Sequence, residues 1–507
     1  MPQRSSEGDS DDADGRDCRV SGPESAIRLS RRDLLAASGI GLVGALAGCP
    51  GGGNPTESPP DPTDTTAEPT STSTPTPRPT TTSRATAEPT AEPTTTTAGT
   101  DGFDTRYLDT SPGSTFAPTD GFGSVDWLEG TEPEVLKVTT LEPTGEGSLP
   151  WALRQSGPRV VVFEVGGVID LAGRTLSTDE GNLYVAGQTA PSPGVTVIRG
   201  GVFAGGANTL VQHLRVRPGD ELGGEIDGDP NGSATDALSV DSDTPNVVFD
   251  HCSVSWGTDE NMSASGGRGN TDLTFSNNLV AEGLSHSPLH EEAEHSKGTL
   301  INDWATDTSV VGNVYVHHTD RHPRIKGGSS CAVVNNFVYN YAEAIEMGGG
   351  PDEPALGSVV GNLFKAGPAT NTTAPLIVAE GQGGARAYVD GNAGDPTIGD
   401  HEADLDVMTM QPLWPQGLEP MDVGKVPEHN LSTAGARPAD RSPTDKRLIG
   451  YARQGKGTRI DSQTEVGGYP ELPERERTLD PPPAGDGLAE WLHQHTKAVE
   501  RPGSSPP

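Results

Sequence analysis

The chain has 507 residues, and its 72 acidic against 35 basic side chains leave a formal net charge of -37. That excess repels polyanions, so nucleic acid is excluded as a general partner, and a hydrated carboxylate surface of this kind suits solubility in high salt, a halophilic composition. Four cysteines in so long a chain exclude a disulfide-stapled scaffold.

The first thirty residues are polar and acidic, and SRRDLLAASGIGLVGALAGC follows. Arg31 and Arg32 precede an apolar run over 34–47 that is too short for a comfortable transmembrane span, so the segment reads as a twin-arginine export signal. Leu46, Ala47, Gly48 and Cys49 resemble a lipobox, in which Cys49 takes lipid; an ordinary signal peptide with an incidental Cys49 is the other reading. Residues 1–48 are therefore assigned as leader. Residues 49–102 are mostly Thr, Pro, Ser and Ala and cannot bury enough apolar surface to offset their ordering entropy, which predicts a disordered linker. Together these segments describe an extracellular module, exported by the twin-arginine route and tied to membrane lipid through Cys49.

Beyond residue 102 the composition turns to short β-rich runs separated by Gly, Asn, Asp and Pro, with a short helix expected over 148–155. The runs VVFDHCSV, LTFSNNLV, SVVGNVYV, AVVNNFVY, SVVGNLF and AYVDGN repeat one pattern. Aligning a polar residue in each gives His251, Asn278, Asn313, Asn336, Asn362 and Asn392, at steps of 27, 35, 23, 26 and 30 residues, the period of a coiled β-solenoid. A side-chain ladder of Asn, one per coil, is expected at that turn. The step of 35 marks an insertion over 281–296. A β-sandwich needs hairpin turns and has no such vertical register, so residues 103–400 read as one all-β, right-handed parallel β-helix. Residues 401–507 lose the repeat and read as an irregular C-terminal segment packed on the coils, with a helix near its end. Cys252 and Cys331 sit in apolar runs on different coils and read as buried thiols rather than a disulfide.

The chemistry concentrates in KGTLINDWATDTSVVGNVYVHHTDRHPRIK, residues 297–326, which gathers Lys297, Arg321, Arg324 and Lys326 in an otherwise acidic chain. A cationic knot of this kind suits an anionic ligand. Upstream, Asp236, Asp259 and Glu260 offer hard oxygen donors to calcium. Cations and carboxylates on neighbouring coils suit an acidic polysaccharide held partly through a metal.

The segments VLKVTTLEPTGEGSLPWALRQSGPRVVVFEVGGVIDL, VAGQTAPSPGVTVIRG, HLRVRPGDE, DHCSVSWGTDEN, HSKGTLI and RHPRIKGG, in this order, resemble polysaccharide lyase family 1, the pectate lyases. The resemblance spans roughly residues 103–475. It implies calcium-dependent β-elimination on polygalacturonate (pectin), giving 4,5-unsaturated oligogalacturonates, by a monomer. Against the family's R-x-P-x-x-R segment, Arg321 takes the position of the base and Lys326 replaces the final arginine, which keeps the charge but loses the bidentate fork. Lys297 and Arg324 fall to substrate binding, and Asp236 and Asp259 match calcium ligands, with Glu260 beside them. The chain departs from the family at Ser263 and Ala234, where aspartates are the rule. Guanidinium has a free pKa above 12, so Arg321 either acts as a base in a perturbed setting or merely clamps a carboxylate. His295, His317, His318 and His322 are candidate sugar contacts, and His251 belongs to the turn ladder.

Two other functions remain open on sequence. A β-helix pectin hydrolase would fit Asn270-Thr271-Asp272 and Arg324-Ile325-Lys326, but the chain lacks the paired aspartates that an inverting hydrolase needs. A non-catalytic surface polysaccharide-binding protein would use the same fold.

Overall fold

The structure, a computed structural model, describes residues 102–221, 235–290, 294–371, 373–380, 384–395 and 399–505. The leader, Cys49, nearly all of the linker and Ala234 lie outside the described residues.

Short runs rich in Val, Ile and Phe form strands because β-branched and aromatic side chains pack well on a pleated surface. Here each run pairs in parallel with the equivalent run one coil away. The result is a right-handed parallel β-helix with three walls. The first sheet runs through 11 strands, from Glu134–Val138 to Leu405–Val407, the second through 8, and the third through 10 with one antiparallel strand, Arg475–Glu476, at its edge. Inward side chains stack on like residues: Val247 pairs with Leu273, and the rings of Phe249 and Phe275 stack at 5.4 Å with 8° between planes. Each such fully buried side chain contributes about 1.5–3 kcal/mol relative to exposure. The helix Leu149–Leu153, capped by the Ser148 hydroxyl on the Trp151 N–H at 3.2 Å, adds Leu149, Ala152 and Leu153 to this core.

Between the first and third sheets the chain turns in two residues. The leading one is left-handed, as at Asn277 (φ 53°), Asn335 (φ 51°) and Gly361 (φ 64°), where Asn and Gly carry least strain. The second one builds the ladder: Asn278 Oδ1 accepts the Cys252 N–H, Asn313 Oδ1 the Asn278 N–H, and the chain of bonds continues through Asn336, Asn362 and Asn392 at 2.8–3.0 Å. The expected register therefore needs one correction. His251 is the left-handed residue (φ 51°), one place before the ladder, and Cys252 stands at the ladder's end. The cause is strand register: Asp250 pairs with Ser276, so His251 aligns with Asn277 and Cys252 with Asn278.

Residues 401–505 carry three helices between irregular connections: Val426–Thr433, Pro443–Gln454 and Asp486–Glu500. Leu431, Leu448, Ile449 and Ala452 cover the third sheet at Leu279, Val314, Val316 and Phe337. Leu488, Ala489 and Leu492 cover the first at Val160, Val162, Tyr184 and Leu210. One buried anchor fixes the middle helix: Asp445 accepts from Arg215 Nε at 2.9 Å and from Arg217 at 2.6 Å, all three fully buried. Cys252 and Cys331 are free, buried thiols. Among the described residues no helix is long and apolar enough to cross a membrane. The tail thus dresses two walls, while the second sheet carries Ser239, Ser263, Leu300, Arg324 and Glu346 in successive strands of one column.

Candidate active site

All seven charged residues singled out from sequence fall on the second sheet or the turns feeding it. Asp236 precedes the strand Leu238–Val240, Asp259 and Glu260 open the strand Glu260–Ala264, and Lys297 opens Lys297–Ile301. Arg321 lies on the turn before Arg324–Ile325, and Lys326 follows it. Parallel pairing then sets Glu260 beside Lys297, and Lys297 beside Asp320.

Carboxylate oxygens of Asp236, Asp259 and Glu260 all lie within 4.8 Å of one another. Three like charges so close repel strongly, and an all-oxygen donor set of this kind suits a hard cation such as calcium. Asp236 is fully buried and is oriented by two donors, the Glu260 N–H at 3.2 Å and the Ser263 hydroxyl. Ser263, which stands where the family pattern has an aspartate, also shares a 2.7 Å hydrogen bond with the Ser239 hydroxyl. Ser263 thereby orients one carboxylate instead of supplying another.

Each of the four cations is held by a carboxylate. Lys297 pairs with Asp320, Arg321 with Glu260, Arg324 with Glu380 at 2.6 Å and Lys326 with Asp303 at 3.3 Å. Arg321 adopts φ 64°, a left-handed conformation that is strained for a non-glycine residue and is held by the surrounding turn. Burial lowers its pKa below the usual arginine value, the Glu346 carboxylate opposing that shift and Arg324 adding to it.

Sequence reasoning missed a second set of carboxylates. Asp320, Glu343 and Glu346 also bring ligand oxygens within 4.8 Å, and Glu346 stands 3.8 Å from Arg324. Burial first, then Asp320, holds Glu346 well above the carboxylate range; burial raises Asp320 too, although Lys297 opposes it. The available signal was spacing: Glu346 follows Arg324 by 22 residues, about one coil, which puts both on one wall and leaves their register to the strand pairing.

The candidate histidines divide. His317, His318 and His322 are buried in the wall, and desolvation keeps all three neutral, His317 down at about 3 and His322 at about 4. His317 Nδ1 bonds Asn340, His318 Nε2 bonds Asn261, and His322 Nδ1 faces the carbonyls of Glu343 and Ala344. They brace the turns. His295 alone reaches the cluster, its Nε2 standing 3.1 Å from Asp259 Oδ1. Asn270 is a buried turn residue that accepts the Thr244 N–H at 2.7 Å.

No protein-family model matches the chain. It is 32% identical over 391 residues to a probable pectate lyase C of Aspergillus flavus, covering 74% of this chain and 85% of that one. A probable pectate lyase C of Aspergillus oryzae is 31% identical with the same coverage. Among solved structures, a pectate lyase bound to a hexasaccharide aligns with a TM-score of 0.46 at 13% identity, over 67% of this chain and 98% of that one.

Proposed function

Given that the chain belongs to the pectate lyase family, we propose that it cleaves polygalacturonate by calcium-dependent β-elimination, with Asp236, Asp259 and Glu260 as metal ligands and Arg321 as the base. The observation that carries this reading is the meeting of one all-carboxylate cluster with four cations on a single outward wall. Calcium, when bound, supplies Lewis-acid stabilisation of the uronate carboxylate, worth several kcal/mol. The reaction removes the C5 proton, forms the C4=C5 double bond and expels the glycosidic oxygen from C4, which takes its proton from solvent water. Arg321 takes the C5 proton. Lys297, Arg324 and Lys326 exchange their internal carboxylates for those of the polymer.

The pairing with Glu260 favours a charged guanidinium, so the base role requires Glu260 to turn toward Asp236 and Asp259. Burial and the neighbouring Arg324 then lower the guanidinium pKa. A positioned base contributes about 10²- to 10⁴-fold. The test is incubation with polygalacturonate and calcium: ultraviolet absorbance of unsaturated uronates supports the lyase, whereas new reducing ends without absorbance, or no product, refutes it. The leader over 1–48 supports export by the twin-arginine route with lipid on Cys49. Membrane association that survives Cys49→Ser would overturn the anchor.

A further inference from the structure

The insertion over 281–296 carries three imidazoles that the lyase reading does not use: His286 faces Asp461 at 2.9 Å, and His290 and His295 meet each other. His290 ends a turn closed by its own N–H on the Ser287 carbonyl at 3.0 Å. His295 is strapped back on the loop's other limb by its N–H on the Ser285 carbonyl at 2.7 Å, and the Ser285 N–H is itself tied to Ile460 at 2.8 Å. These anchors bring the rings of His290 and His295 face to face at 3.8 Å between centroids. They also aim the pair at Asp259, whose Oδ1 stands 3.1 Å from His295 Nε2. One ligand atom from each of His290, His295 and Asp259 lies within 4.8 Å of the others.

We propose that His290, His295 and Asp259 form a second metal site, for a divalent transition ion such as zinc or cobalt. Two imidazoles and one carboxylate suit these borderline ions, whereas calcium selects oxygen donors. The separation of 3.1 Å between nitrogen and oxygen matches two ligands at about 2.0–2.2 Å from one ion. Asp259 belongs to both clusters, so a transition ion at the imidazoles competes for a carboxylate of the calcium site. The two imidazoles then form an inhibitory metal switch beside the proposed calcium ligands. This second consequence rests on the calcium reading given above; the binding site itself does not.

The experiment titrates cobalt into calcium-free full-length protein and into His290→Ala, following the visible ligand-field bands of the ion. His290 is half-buried on a loop outside the coil stack, so the variant leaves the fold intact. Expected is tight binding by the wild type and affinity weakened by at least about tenfold in His290→Ala, the loss that even an outer-shell partner produces. Identical cobalt spectra and affinities for the two proteins would overturn the site. In turnover assays zinc should raise the calcium concentration needed for half-maximal rate in the wild type but not in His290→Ala; equal inhibition of both would overturn the switch. A rate indifferent to calcium, with cobalt binding still lost in the variant, sinks the calcium reading and leaves the site standing.

Discussion

Arg321 and Glu260 are ion-paired across the coil that carries Lys297, the guanidinium on the turn before one strand and the carboxylate at the head of another two strands away. Glu260 also belongs to the Asp236 and Asp259 cluster, so one carboxylate couples the proposed base to the proposed metal site. A change at either end is felt at the other.

Arg321→Ala should remove turnover, by about 10²- to 10⁴-fold or more, while oligogalacturonate still binds with calcium through Lys297, Arg324 and Lys326. Arg321→Lys should restore little, because an ammonium on a different stem presents a compact charge in another place. Lys326→Ala should raise KM and leave kcat measurable, the signature of lost uniform binding. Steady-state kinetics with separate binding measurements decide this, and near-normal turnover in Arg321→Ala would mean that another group takes the C5 proton.

Chelation should abolish turnover. Asp236→Ala should raise the calcium requirement steeply while circular dichroism stays unchanged, since the Glu260 N–H and the Ser263 hydroxyl that orient Asp236 lie on the same wall. Ser263→Ala should give a milder rise, because it removes a donor that orients Asp236 without removing a ligand. Full activity in excess chelator would take the metal out of the mechanism.

Asp445 neutralises two arginines in a fully buried triad. Asp445→Asn leaves Arg215 and Arg217 without a counter-charge and should cost about 3–5 kcal/mol of stability, read as a lower denaturant midpoint. An unchanged midpoint would show that the helix Pro443–Gln454 is not pinned through this pair.

A second buried charge pair gives stability a pH dependence. Burial disfavours the His251 imidazolium, but the Asp250 and Glu500 carboxylates outweigh it and raise His251 to about 9. Asp250, which burial would raise, is brought down to about 2, chiefly by His251. A histidine raised above its unfolded value contributes fully below pH about 6.5, and that contribution fades as pH climbs through about 9. The Asp250 contribution is present above pH about 4 and fades as pH falls through about 2. His251→Asn, which keeps a residue tolerant of the left-handed turn, should lower the melting temperature at neutral pH and flatten its decline toward pH 10 (about). A decline as steep as in the wild type would assign the alkaline loss to other groups.

The solenoid was legible because it is written locally: Asn278, Asn313, Asn336, Asn362 and Asn392 recur at the coil period, and each bonds its neighbour in that order. The identities of the proposed base, cations and carboxylates were legible for a similar reason, since they sit in motifs of a few residues each. What sequence left undetermined is which side chains meet across coils. Ser263 turning to Asp236, Glu346 rising beside Arg324, and Glu500 reaching His213 and His251 from the last helix are contacts between distant positions. Connections between the third and second walls differ in length from coil to coil, so spacing along the chain does not fix the height of each side chain on the wall. Parallel register and the packing of the tail fix it, and those form only when the whole stack is assembled.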